Sequence, residues 1–226
     1  MATTRRASTR PPTRPTKPEA PTLVLFVRHG QTATTGKHLP GRAPGLHLSD
    51  VGHEQAAVAA GRLAELSRLD AVYSSPLERA RETATPIAAA RKQKVTIDRG
   101  LLECDFGEWT GAELKKLMKL PEWRTVQGYP SGFRFPGGES FLEMQDRIVG
   151  AVQRLVERHR GGVVVCVSHA DPIKAAVAQA LGTHLDLFQR IVISTCSVTA
   201  VAYGRGTPAV LTVNSTGGSL TELKAS

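Results

Sequence analysis

Two short apolar runs, each leading to a histidine, constrain the fold of this chain more than any other feature. The first, Leu23–Val27, is followed by Arg28 and His29, and the second, Val163–Val167, leads to His169. Apolar, mostly β-branched runs of this length are typical of strands buried on both faces, as in the parallel sheet of an α/β protein. Ligands bind beyond the carboxyl ends of such strands. We therefore expect both histidines to lie in one active site at that edge.

The residues around His29 suit phosphate chemistry. A neutral imidazole can attack phosphorus, and the Arg28 guanidinium beside it can neutralise phosphoryl oxygens while lowering the pKa of the imidazole. Gly30 would let the backbone approach those oxygens closely. Taken alone, the same three residues could equally form a strand end with a solvated arginine.

Further blocks of sequence give this tripeptide a context. In order along the chain they are Arg28–Thr32, Leu48–Ala56, Tyr73–Ala84, Leu102–Trp109, Pro136–Ser140 and Ser168–His169. In residue types, order and spacing these blocks resemble the histidine phosphatase superfamily, whose fold is shared by cofactor-dependent phosphoglycerate mutases and many phosphatases. The resemblance extends from about residue 23 to about residue 214.

The resemblance implies a role for each catalytic residue. His29 would become the phosphohistidine, Arg28 and Arg79 would bind the phosphoryl group together with a protonated His169, and Glu103 would be the catalytic acid. These five residues are the predicted catalytic set.

Two threonines complete the predicted phosphate site. The phosphate-binding residues are expected to be Arg28, Arg79, His169, Thr32 and Thr35. Many members of the family have an asparagine where this chain has Thr35. The phosphate contact at that position is therefore expected to be weaker, or to be made through Thr32.

Capping signals predict where several helices begin. Ser75–Glu78 and Ser140–Glu143 read as capping boxes, and Asp171 reads as the cap of a helix directly after His169. Arg79 would then lie in a first helical turn, where backbone N–H groups also favour an anion. The helix after Ser140 has an apolar stripe that predicts core packing, formed by Phe141, Met144, Ile148, Val152 and Leu155.

The identity of the proton donor is open on residue pattern alone. Glu103 and Asp105 alternate along an extended stretch, so both side chains would leave the same face. The resemblance favours Glu103; Asp105 would pair with an active-site arginine, and Glu108 is a more distant alternative. Like-charge proximity to the phosphate should raise the pKa of the donor.

The fold expected is an α/β three-layer sandwich, with a mostly parallel central sheet and helices on both faces. Its five or six strands should lie near residues 23–28, 71–74, 95–97, 163–168, 197–202 and 209–213. One domain should span residues 22–226, because a chain of 226 residues with 41% hydrophobic residues can bury a single core. A segment from about 109 to 135, rich in aromatic residues, is expected to form a lid that shapes substrate choice, with Trp109 packing it onto the body.

Residues 1–21 differ from the rest of the chain. They hold five basic residues against one glutamate, together with five prolines and few apolar side chains, so we expect a disordered tail. The composition resembles an organellar transit peptide, but the prolines disfavour an amphipathic helix. No export signal is convincing, and three scattered cysteines indicate reduced thiols; a cytoplasmic location is therefore expected.

The sequence favours a metal-independent phosphatase that hydrolyses a small phosphomonoester and needs no cofactor. No residue spacing supports a metal site, since His38, His47 and His53 should be solvated or line the pocket mouth. Neither nucleic acid nor membrane is an expected partner, because the basic tail lacks aromatic residues and no apolar run has membrane-spanning length. Two alternatives remain: a mutase, for which Lys115, Lys116 or Arg124 could bind a substrate carboxylate, and a non-catalytic phospho-ligand binding module.

Overall fold

A six-stranded sheet forms the centre of the molecule. The computed structural model describes residues 20–221 and 223, and its strands are Thr22–Arg28 (β1), Ala71–Ser74 (β2), Val95–Ile97 (β3), Val163–Ser168 (β4), Val198–Tyr203 (β5) and Ala209–Ser215 (β6). Their order in the sheet is β3-β2-β4-β1-β5-β6. Only β5 runs in the direction opposite to the other five strands, so the sheet is mostly parallel, as predicted.

Helices cover both faces of this sheet. The α-helices are Asp50–Ala64 (α1), Glu78–Ala90 (α2), Leu114–Leu117 (α3), Trp123–Gly128 (α4), Phe141–Arg158 (α5) and Ala170–Ala180 (α6). Alternate side chains of β1 enter two separate cores: Leu25 packs with side chains of α1 and α2, whereas Phe26 packs with those of α5 and α6. The three-layer α/β sandwich is confirmed.

The register between β1 and β4 places the two key histidines side by side. The strands are parallel neighbours, with Arg28 opposite Ser168, so both end at the same edge of the sheet. The backbone N–H of His29 continues the ladder by donating to the Ser168 carbonyl at 3.0 Å. His29 and His169 are therefore the first residues beyond two adjacent strands.

Helix starts were predicted with mixed success. Ser140 closes the expected capping box with Glu143, and all five residues of the apolar stripe on α5 are buried. The capping box at Ser75 is wrong: α2 begins at Glu78, with Leu77 as its N-cap and no side-chain cap. The Ser75 hydroxyl contacts the ring of His169 and accepts from the Leu77 N–H at 3.4 Å, rather than from the N–H of Glu78. The expected cap at Asp171 is also wrong: α6 begins at Ala170, two residues before the start that such a cap requires, and includes Asp171 in its first turn.

The segment 109–135, predicted as a lid, contains α3 and α4. Trp109 is buried in the core and packs the segment onto the body, as expected, with Phe133 and Phe135 beside it. The predicted tail lies almost wholly outside the described residues. Within the described ranges, no helix is both long enough and apolar enough to cross a bilayer.

Candidate active site

His29 and His169 face each other in a buried site at the carboxyl edge of the sheet. Their ring centroids are 5.1 Å apart, and His29 is only 5% exposed while His169 is fully buried. The structure thus brings together the two histidines that the apolar runs singled out.

The hydrogen bonds of His29 fix its tautomer. Nδ1 lies 2.7 Å from the Gly30 carbonyl, which can only accept, so Nδ1 carries the proton and donates. Nε2 then has a free lone pair, and it accepts from Nε of Arg79 at 3.3 Å. Burial, followed by the charges of Arg79 and Arg28, holds the pKa of His29 well below its usual value. The ring is therefore neutral and can act as a nucleophile at Nε2.

Two arginines border this nucleophile. Arg79, the second residue of α2, is fully buried, and its Nη2 donates to the Gly41 carbonyl at 2.8 Å. Arg28 ends β1, and its Nη1 donates to the Ile193 carbonyl at 2.7 Å. These carbonyl contacts fix both guanidinium groups while leaving other N–H groups available for a ligand.

His169 is held from the opposite side by Ser75. Its Nε2 and the Ser75 hydroxyl are 2.8 Å apart. Burial, followed by the charge of Arg79, holds the pKa of His169 well below its usual value. The expectation of a protonated His169 is therefore not met in these surroundings; a bound dianion would raise that pKa again.

Beside His29, three buried nitrogen atoms have no hydrogen-bond partner among the described residues, and the Nδ1 of His38 in the adjoining cavity is a fourth. The three beside His29 are Nε of Arg28, Nη1 of Arg79 and Nδ1 of His169. Buried polar groups are normally paired, since leaving one unpaired costs about 1–3 kcal/mol. Such a cluster of two cationic donors and an imidazole beside Nε2 of His29 indicates a site for an anion such as phosphate.

Glu103 lies at the same site and is almost entirely buried. Its Oε1 accepts from the Cys104 N–H at 3.0 Å, and its Oε2 is 4.0 Å from Nδ1 of His169. Burial, with a smaller contribution from the charge of Asp171, raises the pKa of Glu103 to about 7. The predicted upward shift is confirmed, although desolvation is its main cause. A carboxyl group of this kind can donate a proton near neutral pH.

The two alternative acids lie away from the site. Asp105 pairs with Arg42 at 3.4 Å and accepts from the Gly107 N–H, and its side chain does not line the cavity. Glu108 is exposed. The arginine that Asp105 contacts, Arg42, is neither of the two arginines predicted to bind phosphate.

The backbone around Glu103 is held by a network of charges that the sequence did not reveal. Glu139 makes a two-pronged pair with Arg147 at 2.9 Å for each bond and a second pair with Arg42 at 2.8 Å. Arg42 and Arg147 each also donate to the Glu103 carbonyl, at 2.9 and 3.2 Å. Glu139 lies in the block Pro136–Ser140, but no local sequence pattern indicates that this side chain supports the loop of Glu103.

Thr32 and Thr35 line the cavity near His29. The Thr35 hydroxyl accepts from the Thr32 N–H at 2.9 Å and lies 3.0 Å from the Thr32 hydroxyl, so the two side chains brace each other.

Position 30 requires glycine for a different reason from the one expected. A Cβ there would lie 2.5 Å from the Gly52 carbonyl oxygen at the start of α1. Close packing on α1, more than access to phosphate, requires this glycine.

The site opens into a cavity of about 440 Å³. Of the three nearby histidines, His38 lines it, whereas His47 and His53 are exposed and lie outside. Lys115, Lys116 and Arg124 are also outside the lining. In the described part of the chain, no group of three or more His, Cys, Asp or Glu side chains is arranged to hold a metal ion.

Comparison with known proteins agrees with this geometry. The profile of the histidine phosphatase superfamily (branch 1) matches residues 24–216. The chain belongs to this superfamily.

Three relatives illustrate the range. A protein of Mycobacterium tuberculosis named as bifunctional is 36% identical over 201 residues, covering 87% of this chain and 55% of its own length. Phosphoserine phosphatase 1 of Hydrogenobacter thermophilus is 35% identical over 170 residues, covering 73% of this chain and 79% of its own. A solved mycobacterial glucosyl-3-phosphoglycerate phosphatase has a TM-score of 0.76 at 25% identity, over 85% of this chain and 98% of its own. The chain thus spans about half the length of the first of these relatives.

Proposed function

We propose that this protein is a phosphatase that hydrolyses a small phosphomonoester through a phosphohistidine on His29, with Glu103 as proton donor. The observation that carries the proposal is a neutral His29 that contacts Arg79 and faces His169, while buried nitrogen atoms of Arg28, Arg79 and His169 have no hydrogen-bond partner among the described residues. A phosphoryl group bound by these donors would lie next to the lone pair of Nε2. Thr32 and Thr35, which line the same cavity, would complete this phosphate site.

The first step transfers the phosphoryl group to the enzyme. Nε2 of His29 forms a bond to phosphorus as the bond from phosphorus to the ester oxygen breaks. Glu103 gives its proton to the departing oxygen and becomes a carboxylate, for which its pKa of about 7 is suited. Arg28 and Arg79 stabilise the charge that develops on the phosphoryl oxygens; in comparable sites one such donor is worth roughly 3–4 kcal/mol.

The second step returns the enzyme to its starting state. Water attacks phosphorus while the Glu103 carboxylate takes its proton, the bond between nitrogen and phosphorus breaks, and phosphate leaves. His29 recovers the lone pair on Nε2, and Nδ1 keeps its proton on the Gly30 carbonyl throughout. Every step uses only groups of this chain and water, so the proposal includes no metal or cofactor.

A chromogenic phosphomonoester tests the activity. We expect p-nitrophenyl phosphate to be hydrolysed in the presence of EDTA, and His29→Ala to abolish turnover. His53→Ala is the matched control, because His53 is exposed and lies outside the cavity. An inactive wild-type protein that still binds phosphate would instead indicate the phospho-ligand binding module.

A second assay separates a phosphatase from a mutase. With 3-phosphoglycerate, a phosphatase releases inorganic phosphate, whereas a mutase forms the 2-phospho isomer. We expect phosphate release, because the three basic residues that could have bound a mutase substrate's carboxylate lie outside the cavity.

We further propose a cytoplasmic location, supported by cysteines that are buried and free of disulfides.

A further inference from the structure

The position of the proposed phosphate site dictates where the rest of a substrate must lie. Arg28, His29 and Glu103 line the cavity, whereas Arg79 and His169 are buried beside His29 and outside the lining. The ester oxygen has to reach Glu103 to be protonated. The alcohol part of the substrate therefore extends into the outer cavity, whose lining decides which alcohols fit.

The outer cavity is lined mainly by apolar side chains from three separate parts of the chain. Leu39 comes from the loop after β1, Leu114 and Trp123 come from α3 and α4, and Ile191 comes from the loop before β5. Most of these side chains are only half buried, so part of their apolar surface is still open to a ligand. Covering such surface favours an apolar group over a hydrated one.

Trp123 forms a flat and rigid part of this lining. Its indole stacks on that of Trp109, with centroids 6.4 Å apart and planes inclined by 23°. Trp109 is itself packed against Phe133 and edge-on against Phe135 in the core. A ring held in place in this way can receive a ligand ring without losing side-chain freedom on binding.

The charges of the outer cavity are already matched. Nζ of Lys174 lies 3.1 Å from Oδ1 of Asp171 and 3.0 Å from Oε1 of Gln189. A substrate carboxylate at Lys174 would therefore meet the negative charge of Asp171 as well. Apart from Arg28, which faces the phosphate, the described part of the lining offers no other lysine or arginine.

We propose that the physiological substrate is a phosphomonoester of an uncharged alcohol that carries a ring-sized apolar group. The apolar lining, the fixed face of Trp123 and the matched Lys174–Asp171 pair all favour such a group over the carboxylate of phosphoserine or phosphoglycerate. This inference rests on the proposed phosphatase function and specifies the substrate class of the same site.

Three primary alkyl phosphates test the inference without a difference in leaving group. They are propyl phosphate, 3-phenylpropyl phosphate and 4-(phosphonooxy)butanoate, which share an unbranched chain and differ at its end. We expect kcat/KM for the phenyl compound to exceed that of propyl phosphate by about tenfold or more, the scale of small apolar groups in pockets. The carboxylate should give no gain over propyl phosphate. A carboxylate preferred over the phenyl group would overturn the inference.

Variants assign the preference to the cavity wall. Trp123→Ala should reduce the ratio of kcat/KM between the phenyl and propyl compounds to near one, and Trp123→Phe should restore most of it. Met118→Ala, an exposed residue of the same segment outside the lining, is the control and should keep the wild-type ratio. Leu114→Ala supplies a second test should Trp123→Ala unfold. An unchanged ratio in folded variants of both residues would contradict the assignment.

Binding separates this inference from the proposed function. The three phosphonates in which CH₂ replaces the ester oxygen can be compared by calorimetry without turnover. Tightest binding of the phenyl phosphonate supports the substrate class even if the protein hydrolyses none of the phosphates. The lack of hydrolysis would contradict only the phosphatase proposal. Hydrolysis of all three phosphates with equal binding of the three phosphonates would support the phosphatase proposal and contradict the substrate class.

Discussion

Replacing Glu103 by glutamine tests the proton donor directly. The substitution keeps size and can keep the hydrogen bond from the Cys104 N–H, but it removes the proton that the leaving oxygen needs. General acids contribute about 10²–10⁴ in rate, so turnover of an alkyl phosphate should fall by about two decades or more. Turnover of p-nitrophenyl phosphate should fall much less, because its leaving group needs no protonation.

The pH dependence of alkyl phosphate hydrolysis provides a second test of the proton donor. The pKa of Glu103 is about 7, so in wild type the fraction of protonated acid falls about tenfold for each pH unit well above that value. Hydrolysis of the alkyl phosphate under kcat/KM conditions should fall with it. The glutamine variant should lose this limb of the profile, since its side chain does not titrate.

Steady-state kinetics on both substrates between pH 5 and pH 9 measure these effects, with Asp105→Asn as the matched control. Asp105 pairs with Arg42 outside the cavity, so its loss should be milder on both substrates. A larger defect in Asp105→Asn than in Glu103→Gln, or equal losses on both substrates in Glu103→Gln, would refute the assignment.

Three further predictions follow from the structure and sequence. Glu139→Gln should lower kcat about tenfold with little change in KM, because loss of its pair with Arg147 loosens the loop that positions Glu103. Steady-state kinetics measure this effect, and melting curves distinguish it from unfolding. The raised pKa of Glu103 means that the folded state binds more protons than the unfolded state between pH 4.5 and about 7, so stability falls as pH rises through that window. At pH 8, the free energy of unfolding measured by denaturation should therefore be higher for Glu103→Gln than for wild type, by up to about 3 kcal/mol. Deleting residues 1–19, whose composition offers little apolar surface, should leave melting temperature and activity unchanged.

The sheet and the site's position could be read from the sequence because both depend on strong local signals. The apolar runs that became β1 and β4 could hardly be anything but buried strands, and parallel strands bring their carboxyl ends together. The strands at 71–74, 95–97 and 163–168 have the predicted bounds. Strand β5 was located to within one residue, although its antiparallel direction had no signal in the sequence.

The errors arose where a side chain had two possible partners. Ser75 lies in a good capping pattern, yet its hydroxyl bonds His169, which is 94 residues away in the sequence. A serine hydroxyl can serve only a few partners, and no local pattern reports which one tertiary contacts will bring close. Arg42 and Arg147 were missed for the same reason, because each acts on the carbonyl of Glu103 across a long sequence separation.

Trapping the phosphoryl group on His29 tests the central claim most directly. In a rapid quench with a ³²P-labelled phosphomonoester, the protein should acquire label that is stable to alkali and labile to acid, as a phosphoramidate is. His29→Ala should lose both the label and turnover, whereas His169→Ala should reduce labelling without moving it from His29. Label on another residue, or more than about a hundredth of wild-type activity in His29→Ala, would contradict the covalent mechanism.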